Sequence, residues 1–366
     1  MDEAERSQPA PVKPTDPPRP VRRRRLPSWI ARPGRWCWTG LRRAAQFLLI
    51  AWAALAIYYS NLPWAWTRVA LAVAFAGFAV WALWVRRRAR LRWAFAGAFA
   101  AVAVWWVCIP ASHDRPWRRE VAVLPRAVID GDRVRLTGFR NFTYRGADDF
   151  DARYEQREVS LAHLVSVDLF VSYWKMGPVA HTFLSFNFDD GTPPVCVSIE
   201  ARPEVGEEFD PLASMFKQFE LIYVVGDERD IVRVRTDHRG EEVFLYRTRA
   251  TPEEARRLFR IYLDRVNELA DRPEWYHLLK NNCTLNIVRH ARRAAGAGRA
   301  RFDYRYLLNG WFDRYAYGAG VIDTSLDFEE LRRRSHINDA ARAAADAEDF
   351  SARIRASLPV PTPAAK

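Results

Sequence analysis

The sequence predicts an α+β domain that follows three membrane-spanning helices. Three apolar stretches, at residues 44–62, 69–85 and 93–110, each approach the roughly 20 residues that a helix needs to cross a bilayer. From residue 113 onward, short segments rich in β-branched and aromatic residues alternate with turn signals and amphipathic helical patterns. The first observation predicts a membrane anchor, and the second predicts a mixed soluble domain.

The positive charge of the chain is concentrated near the membrane segment. The formal net charge is +12, but residues 1–112 carry 17 Lys/Arg against 4 Asp/Glu, whereas residues 113–330 carry 32 against 36. Positive charge beside membrane spans marks the cytoplasmic side of the membrane. Because the soluble domain itself is slightly acidic, we expect no nucleic-acid partner.

The composition divides the chain into four segments. Residues 1–43 are rich in Pro and Arg and predict a disordered cytoplasmic arm, residues 44–110 hold the three spans, residues 113–331 form the domain, and residues 332–366 predict a helix and then a disordered tail. The basic arm and the five arginines between residues 86 and 92 should both be cytoplasmic. Three crossings then place the domain outside, so we expect a multi-pass inner-membrane protein with a periplasmic domain.

Periodicity and turn chemistry outline the elements of the domain. A turn at residues 189–191 joins two strands into a hairpin, a strong helix start lies at residues 251–254, and a second helix begins at Asn281 or Asn282. The predicted strands are residues 165–173, 181–188, 195–200, 219–225, 231–235 and 243–246.

Cys283 is the candidate nucleophile. It follows Asn281 and Asn282 and precedes Thr284, at the expected first turn of a helix. The free backbone N–H groups and the dipole of a helix N-terminus favour a thiolate, and the same groups can hold an oxyanion. Asn282 and Thr284 are therefore the predicted supports of the site.

His181 is the candidate base among the seven histidines. It opens a predicted strand beside a Gly-Pro loop, near the edge of the sheet. In the hairpin partner, alternation places Cys196, Ser198 and Glu200 on one face. Glu200 is thus the nearest carboxylate that can orient the imidazole, which completes a Cys-His-Glu arrangement.

Each of these residues also has a structural interpretation. A cysteine in a helix is often only a small buried apolar side chain, and a histidine at a strand edge is often a hydrogen-bonded structural residue. A disulfide between Cys196 and Cys283 would remove the nucleophile in an oxidising compartment. Glu200 has Arg202 or Arg235 as alternative ion-pair partners.

Six motifs, in order along the domain, resemble a known family. They read VDLFVSYW, HTFLSF, SIEAR, ELIYVV, DIVRVR and NCTLN, at residues 167–174, 181–186, 198–202, 220–225, 230–235 and 282–286. The segment from residue 121 to residue 331 resembles the Lnb N-terminal periplasmic domain family. The resemblance implies a papain-like thiol fold, circularly permuted so that the histidine precedes the cysteine, with Cys283 as nucleophile and His181 as base. It also implies a role in lipoprotein N-acylation through a thioester, although family members carry their membrane helices after the domain.

We therefore expect a membrane-anchored periplasmic cysteine acyltransferase or hydrolase that acts on acyl or amide bonds. Its expected substrates are lipoproteins, phospholipids or other envelope molecules. A peptidoglycan amidase or peptidase is the second hypothesis, and a non-catalytic envelope-binding module is the third. The sequence has no zinc-type Cys/His spacing and no nucleotide-binding loop, so we expect neither a metal nor a cofactor.

Overall fold

The computed structural model describes residues 28–298 and 302–360. The chain divides within its first helix into two compact units, Met1–Trp52 and Ala53–Lys366. Most of the arm that the sequence predicts to be disordered, residues 1–27, lies outside the described residues.

Three apolar helices begin the described chain, and they confirm the three predicted apolar stretches as helices. They are α1 (Ser28–Tyr58), α2 (Ala65–Val80), which a π-helical segment extends to Arg86, and α3 (Ala89–Cys108). Each contains a stretch long and apolar enough to cross a membrane, namely Trp36–Tyr58, Ala65–Arg86 and Ala89–Cys108. Residues 28–43, assigned above to the disordered arm, are helical in α1. Their Arg, Ala and Leu residues are good helix formers, so an adjacent helix extends through them at little cost.

The domain is built on a twisted, mainly antiparallel sheet. Its order is β1-β2-β9-β8-β7-β6-β10, with β5 also paired to β2, while β3 and β4 form a separate hairpin. The strands are β1 (Arg126–Asp130), β2 (Arg133–Arg140), β3 (Thr143–Tyr144), β4 (Phe150–Asp151), β5 (Tyr154–Ser160), β6 (Leu164–Tyr173), β7 (His181–Phe188), β8 (Val195–Arg202), β9 (Glu220–Asp227) and β10 (Glu242–Arg247).

Helices cover both faces of this sheet, so the domain is mixed α+β as predicted. The helices after the anchor are α4 (Glu228–Arg233), α5 (Pro252–Asp271), α6 (Cys283–Ala294), α7 (Phe312–Gly318), α8 (Phe328–Ser335), α9 (Asn338–Ala343) and α10 (Phe350–Arg353). α5 and α6 pack on one face, in a core that includes Leu184 and Phe259. α4 and α9 pack on the other face, in a core that includes Phe183 and Ile231. Phe183 and Leu184 are neighbours in β7, and strand alternation sends them to opposite cores.

Both predicted helix starts are confirmed. Thr251 caps α5, and its side chain and that of Glu254 form a reciprocal capping box. Asn282 caps α6, whose first residue is Cys283. The predicted hairpin is confirmed as well, because β7 and β8 pair antiparallel across the turn at residues 189–191.

The predicted strand at residues 231–235 is wrong. These residues lie in α4 and in the π-helical segment Val234–His238 that continues it. The Asp227 side chain accepts a hydrogen bond from the Arg229 N–H and caps the helix, which an apolar-pattern argument overlooks. Ile231 and Val234 are buried beneath the sheet, so a short buried helix produced the apolar run.

The domain extends beyond the predicted boundary at Leu331. Ile337 and Ile354 are buried in the core on the α4 side, and Leu358 packs in the same core. The sequence pattern does not predict that this helical segment is buried, because its composition is rich in Ala and Arg and few large apolar residues mark its buried side. The last part of the predicted tail, residues 361–366, lies outside the described residues.

Candidate active site

The candidate site forms where α6 begins beside the first residue of β7. Cys283 is the first residue of α6 and His181 is the first residue of β7. Both are buried, with Cys283 3% and His181 9% exposed. A hydrogen bond joins His181 to Cys283, so the sequence-predicted nucleophile and base meet, although 101 residues lie between them in the chain.

The electrostatic surroundings of Cys283 favour its thiolate. Burial by itself raises the pKa of the thiol, because a buried charge loses its hydration. The charge and hydrogen bond of His181, together with hydrogen bonds from Thr182, outweigh burial and lower the pKa of Cys283 from 9.0 to about 6. Such a thiol is largely ionised at neutral pH, as a nucleophile needs to be.

The Asn282 side chain holds the start of α6 in place. Its Oδ1 accepts a hydrogen bond of 2.8 Å from the Leu285 N–H, and its Nδ2 donates a bond of 2.6 Å to the Leu278 carbonyl. Both polar atoms of the Asn282 side chain therefore already have hydrogen-bond partners within the protein. Asn282 supports the site by capping the helix, and the backbone N–H groups of the first turn are the groups suited to an oxyanion.

A serine lies between His181 and Glu200. His181 Nε2 is 2.7 Å from Ser198 Oγ, and Ser198 Oγ is 2.7 Å from Glu200 Oε1, whereas His181 Nε2 and Glu200 Oε1 are 3.8 Å apart. The carboxylate can only accept, so Ser198 donates its proton to Glu200 and accepts the Nε2–H of His181. Since Nε2 is engaged with Ser198, Nδ1 is the ring nitrogen that remains to exchange a proton with Cys283.

Arg235 keeps Glu200 ionised. One guanidinium nitrogen of Arg235 lies 2.7 Å from Glu200 Oε1. Burial raises the pKa of Glu200, but the charges of Arg235 and His181 reverse this effect and hold that pKa well below its usual range. Of the two ion-pair partners that the sequence allowed, the structure selects Arg235, since Arg202 donates to the carbonyls of Val121 and Ala122.

Asn309 ties the histidine strand to the cysteine helix. Its Oδ1 accepts a bond of 2.8 Å from the N–H of Ala180, and its Nδ2 donates to Thr284 Oγ1 at 3.0 Å and lies 3.7 Å from Cys283 Sγ. Thr284 Oγ1 also bonds Thr182 Oγ1 at 2.9 Å. Thr284, a predicted support, therefore links the two elements through its side chain.

Cys196 takes no part in the site. Cys196 and Cys283 are both free, and they belong to different cores on opposite faces of the sheet. The disulfide considered as an alternative is therefore not formed. Cys196 is fully buried, and burial raises the pKa of its thiol well above 9.0.

An open cavity of about 280 Å³ lies beside His181 and Glu200. Trp174, Phe209 and Tyr276 give it aromatic walls. Its charged wall residues are Arg118, Glu120, Asp148, Arg235, Arg239 and Glu241. Within the described residues, no group of His, Cys, Asp and Glu side chains has the arrangement of a metal site.

We expect Cys283 to react with alkylating agents at unusually low pH. In a Cys37→Ser/Cys108→Ser variant, the alkylation rate with iodoacetamide should rise with pH and reach half its plateau near pH 6, because the thiolate is the reacting form. Mass mapping of the labelled residue checks the assignment. A half-plateau near pH 9, the ordinary value for a thiol, would contradict the pairing with His181.

Comparison with known proteins relates one segment of the domain to a family. Residues 150–310 match the family described as Lnb N-terminal periplasmic domain, and this segment contains Cys283, His181 and Glu200. No curated protein and no solved structure matches the chain. The family together with the three apolar helices suggests an envelope-associated protein with a membrane anchor and a periplasmic domain. Residues 150–310 of the chain are thus similar to the Lnb N-terminal periplasmic domain family, and three apolar helices precede them.

Proposed function

We propose that the protein is a membrane-anchored cysteine acyltransferase or hydrolase of the periplasm, acting on acyl or amide bonds of lipoproteins or lipids. One observation carries the proposal. Cys283 lies at a helix start beside His181, and its pKa is lowered to about 6. A buried structural cysteine would instead have a raised pKa, as Cys196 does.

The layout of the domain supports a permuted papain-like fold. The cysteine begins a helix that packs on a sheet, and the histidine lies on a strand of that sheet, so that the pair meets at the sheet end. The histidine precedes the cysteine in sequence, in the order that the family resemblance implies. Ser198 and Glu200 take the position of the group that orients the imidazole.

In the proposed first step, the Cys283 thiolate attacks the carbonyl carbon of an acyl ester. The new C–S bond forms a tetrahedral oxyanion, which the first-turn N–H groups of α6 stabilise. The C–O bond then breaks, the departing alcohol takes a proton from the His181 imidazolium, and a thioester remains on Cys283. The Ser198–Glu200 pair stabilises the imidazolium through Nε2.

In the proposed second step, an amine attacks the thioester carbonyl. His181 takes the amine proton, the C–S bond breaks, and the product is an amide, with Cys283 released as a thiolate. If water replaces the amine, the same step gives a carboxylic acid, and the protein acts as a hydrolase. The chemistry needs no oxidant, metal or cofactor.

We propose that the domain lies in the periplasm and the anchor in the inner membrane. The basic residues before α1 and the arginines between α2 and α3 favour the cytoplasmic side for both segments. α3 then carries the chain across the membrane to the domain. Confinement of enzyme and substrate to one surface raises the effective concentration of a lipid substrate.

A peptidoglycan amidase or peptidase is the second candidate. The charged cavity wall favours it, because Arg118 forms ion pairs there with Glu120 and Asp148, and the charged groups of a stem peptide can exchange into such pairs. The non-catalytic binding module requires an unreactive Cys283, which the alkylation profile tests directly.

Mass spectrometry of lipoprotein N-termini tests the proposed reaction. Cells that make the protein should contain lipoproteins with an N-acyl chain, and cells without it should lack that chain. Unchanged lipoproteins, together with altered peptidoglycan stem peptides, would favour the second candidate instead.

Removal of the Ser198 hydroxyl should weaken the thiolate. In Ser198→Ala, His181 Nε2 loses its acceptor, so we expect the midpoint of Cys283 alkylation to move from about 6 toward 9.0. Ser185→Ala is the matched control, because Ser185 Oγ also donates to a buried carboxylate, that of Glu228. Equal alkylation midpoints in the two variants would contradict the role of Ser198 in positioning the imidazole.

A further inference from the structure

The segment of residues 205–217 connects the candidate active site to the ends of the apolar helices. Near its start, Phe209 stacks on Trp174 with ring centroids 6.3 Å apart, and both residues line the cavity beside His181. At its end, Phe216 stacks on Tyr59, which follows α1, with ring centroids 5.8 Å apart. This one segment therefore contacts the candidate site near its start and the end of α1 near its own end.

Lys217 fixes the end of this segment at the membrane boundary. Its Nζ donates to the carbonyls of Val107 and Ile109, both at 2.9 Å, where α3 ends. The ammonium also lies 5.0 Å from the Trp106 ring centroid and 5.9 Å from that of Trp275. A lysine and tryptophans at the end of an apolar helix are typical of the level where hydrocarbon meets water.

An apolar groove lies beside this boundary. Trp174, Met176, Val179, Phe209 and Pro211 line it, and it encloses about 500 Å³. Of the described residues in its wall, Lys175 alone is charged. We call Lys175 and the five apolar residues just named the acyl groove. Exposed fractions of 53% for Trp174, 50% for Met176 and 41% for Phe209 leave a contiguous apolar surface open.

The acyl groove is continuous with the cavity beside His181. Trp174 and Phe209 line both the groove and the cavity beside His181. A separate cavity lies between Ala213 and the ends of α1 and α2 at Tyr58 and Val69, and its wall is partly charged, with Arg68, Glu207, Glu208 and Asp210. The continuous apolar surface is therefore the groove itself, and a hydrocarbon chain bound there ends beside His181.

We propose that the acyl groove binds one acyl chain of a membrane phospholipid, taken from the leaflet on the side of the domain, and directs its ester carbonyl toward Cys283. This inference rests on the proposed function and identifies its acyl donor. The near absence of charge in the groove suits a hydrocarbon chain and excludes a charged stem peptide. Lys175, the charged member of the groove, complements the charge of a lipid phosphate.

Site-specific photocrosslinking tests the proposal. A benzophenone amino acid replaces Met176 or Phe209 in the full chain, within a Cys283→Ser background, and the protein is reconstituted in phosphatidylethanolamine and phosphatidylglycerol vesicles. The matched control carries the same amino acid at Val128, an exposed apolar residue of the edge strand β1. Mass spectrometry then measures the covalent phospholipid adducts and locates them on the lipid.

We expect adducts on acyl-chain carbons at Met176 and Phe209, with yields about 10-fold or more above those at Val128. Three results would each overturn the proposal. They are equal yields at the three positions, adducts confined to the headgroup, and adducts that form only with an added lipidated peptide. Since the background lacks the nucleophile, the crosslinking result does not depend on catalysis. If the protein proves inactive but still gives strong acyl-chain adducts, the proposed function is refuted and the binding of an acyl chain by the groove is not.

Discussion

Cys283→Ser should abolish lipoprotein N-acylation while the protein still accumulates in the membrane. The serine hydroxyl has a far higher pKa than the thiol, so His181 no longer faces an ionised nucleophile. We expect turnover to fall by about 10⁴-fold or more, as for other enzymes that lose their nucleophile. Lipoprotein N-termini from cells with only this variant, measured by mass spectrometry, should match those from cells without the protein.

Cys196→Ala is the matched control for this variant. Cys196 is as deeply buried as Cys283, but it lies in the core on the other face of the sheet. Its replacement should leave N-acylation intact. Full activity in Cys283→Ser, or equal loss in both variants, would exclude a nucleophilic role for Cys283.

Arg355→Ala should destabilise the domain by about 3–5 kcal/mol, the usual cost of leaving buried partners without their counter-charge. Arg355 lies 2.8 Å from Asp168 and 2.6 Å from Glu228, and both carboxylates are only 1% exposed. Burial raises the pKa of Glu228, but the Arg355 charge reverses this effect and lowers it. The stabilisation from this lowered pKa is therefore present at neutral pH and is lost as the pH falls below the usual range of a glutamate.

Arg353→Ala is the control for Arg355→Ala. Arg353 lies in the same tail, but its side chain is 56% exposed and pairs with the exposed Asp349. Denaturant unfolding in mild detergent, followed by fluorescence, should show little or no change for this variant. Equal stability of the two variants would mean that the C-terminal tail contributes little to the domain.

Much of the candidate site is predictable because its signals are local. Asn282 before Cys283 is a helix cap, and the cap alone places the thiol at a helix start. Alternation in β8 places Ser198 and Glu200 on one face, and the turn after β7 sets the pairing of the two strands. The charge pattern and the apolar stretches likewise locate the three helices, because both are properties of contiguous segments of the chain.

The features of the site and fold that the sequence does not predict depend on contacts between distant parts of the chain. Asn309 contacts Ala180 and Thr284, and its Asn-Gly sequence indicates only a turn. The position of Ser198 between His181 and Glu200 depends on side-chain directions that alternation does not specify. The C-terminal tail packs under the sheet through Arg355, whose two partners lie more than a hundred residues away.

Intact mass spectrometry of the acyl-enzyme tests the central claim most directly. The full-length protein is incubated with a phospholipid of defined acyl chains in the absence of an amine acceptor, quenched in acid and mapped by peptide. We expect one acyl chain on Cys283, removable by hydroxylamine as a thioester is, and no such adduct in Cys283→Ser. An unmodified Cys283 in a protein that still acylates lipoproteins would contradict the proposed role of Cys283 as the nucleophile.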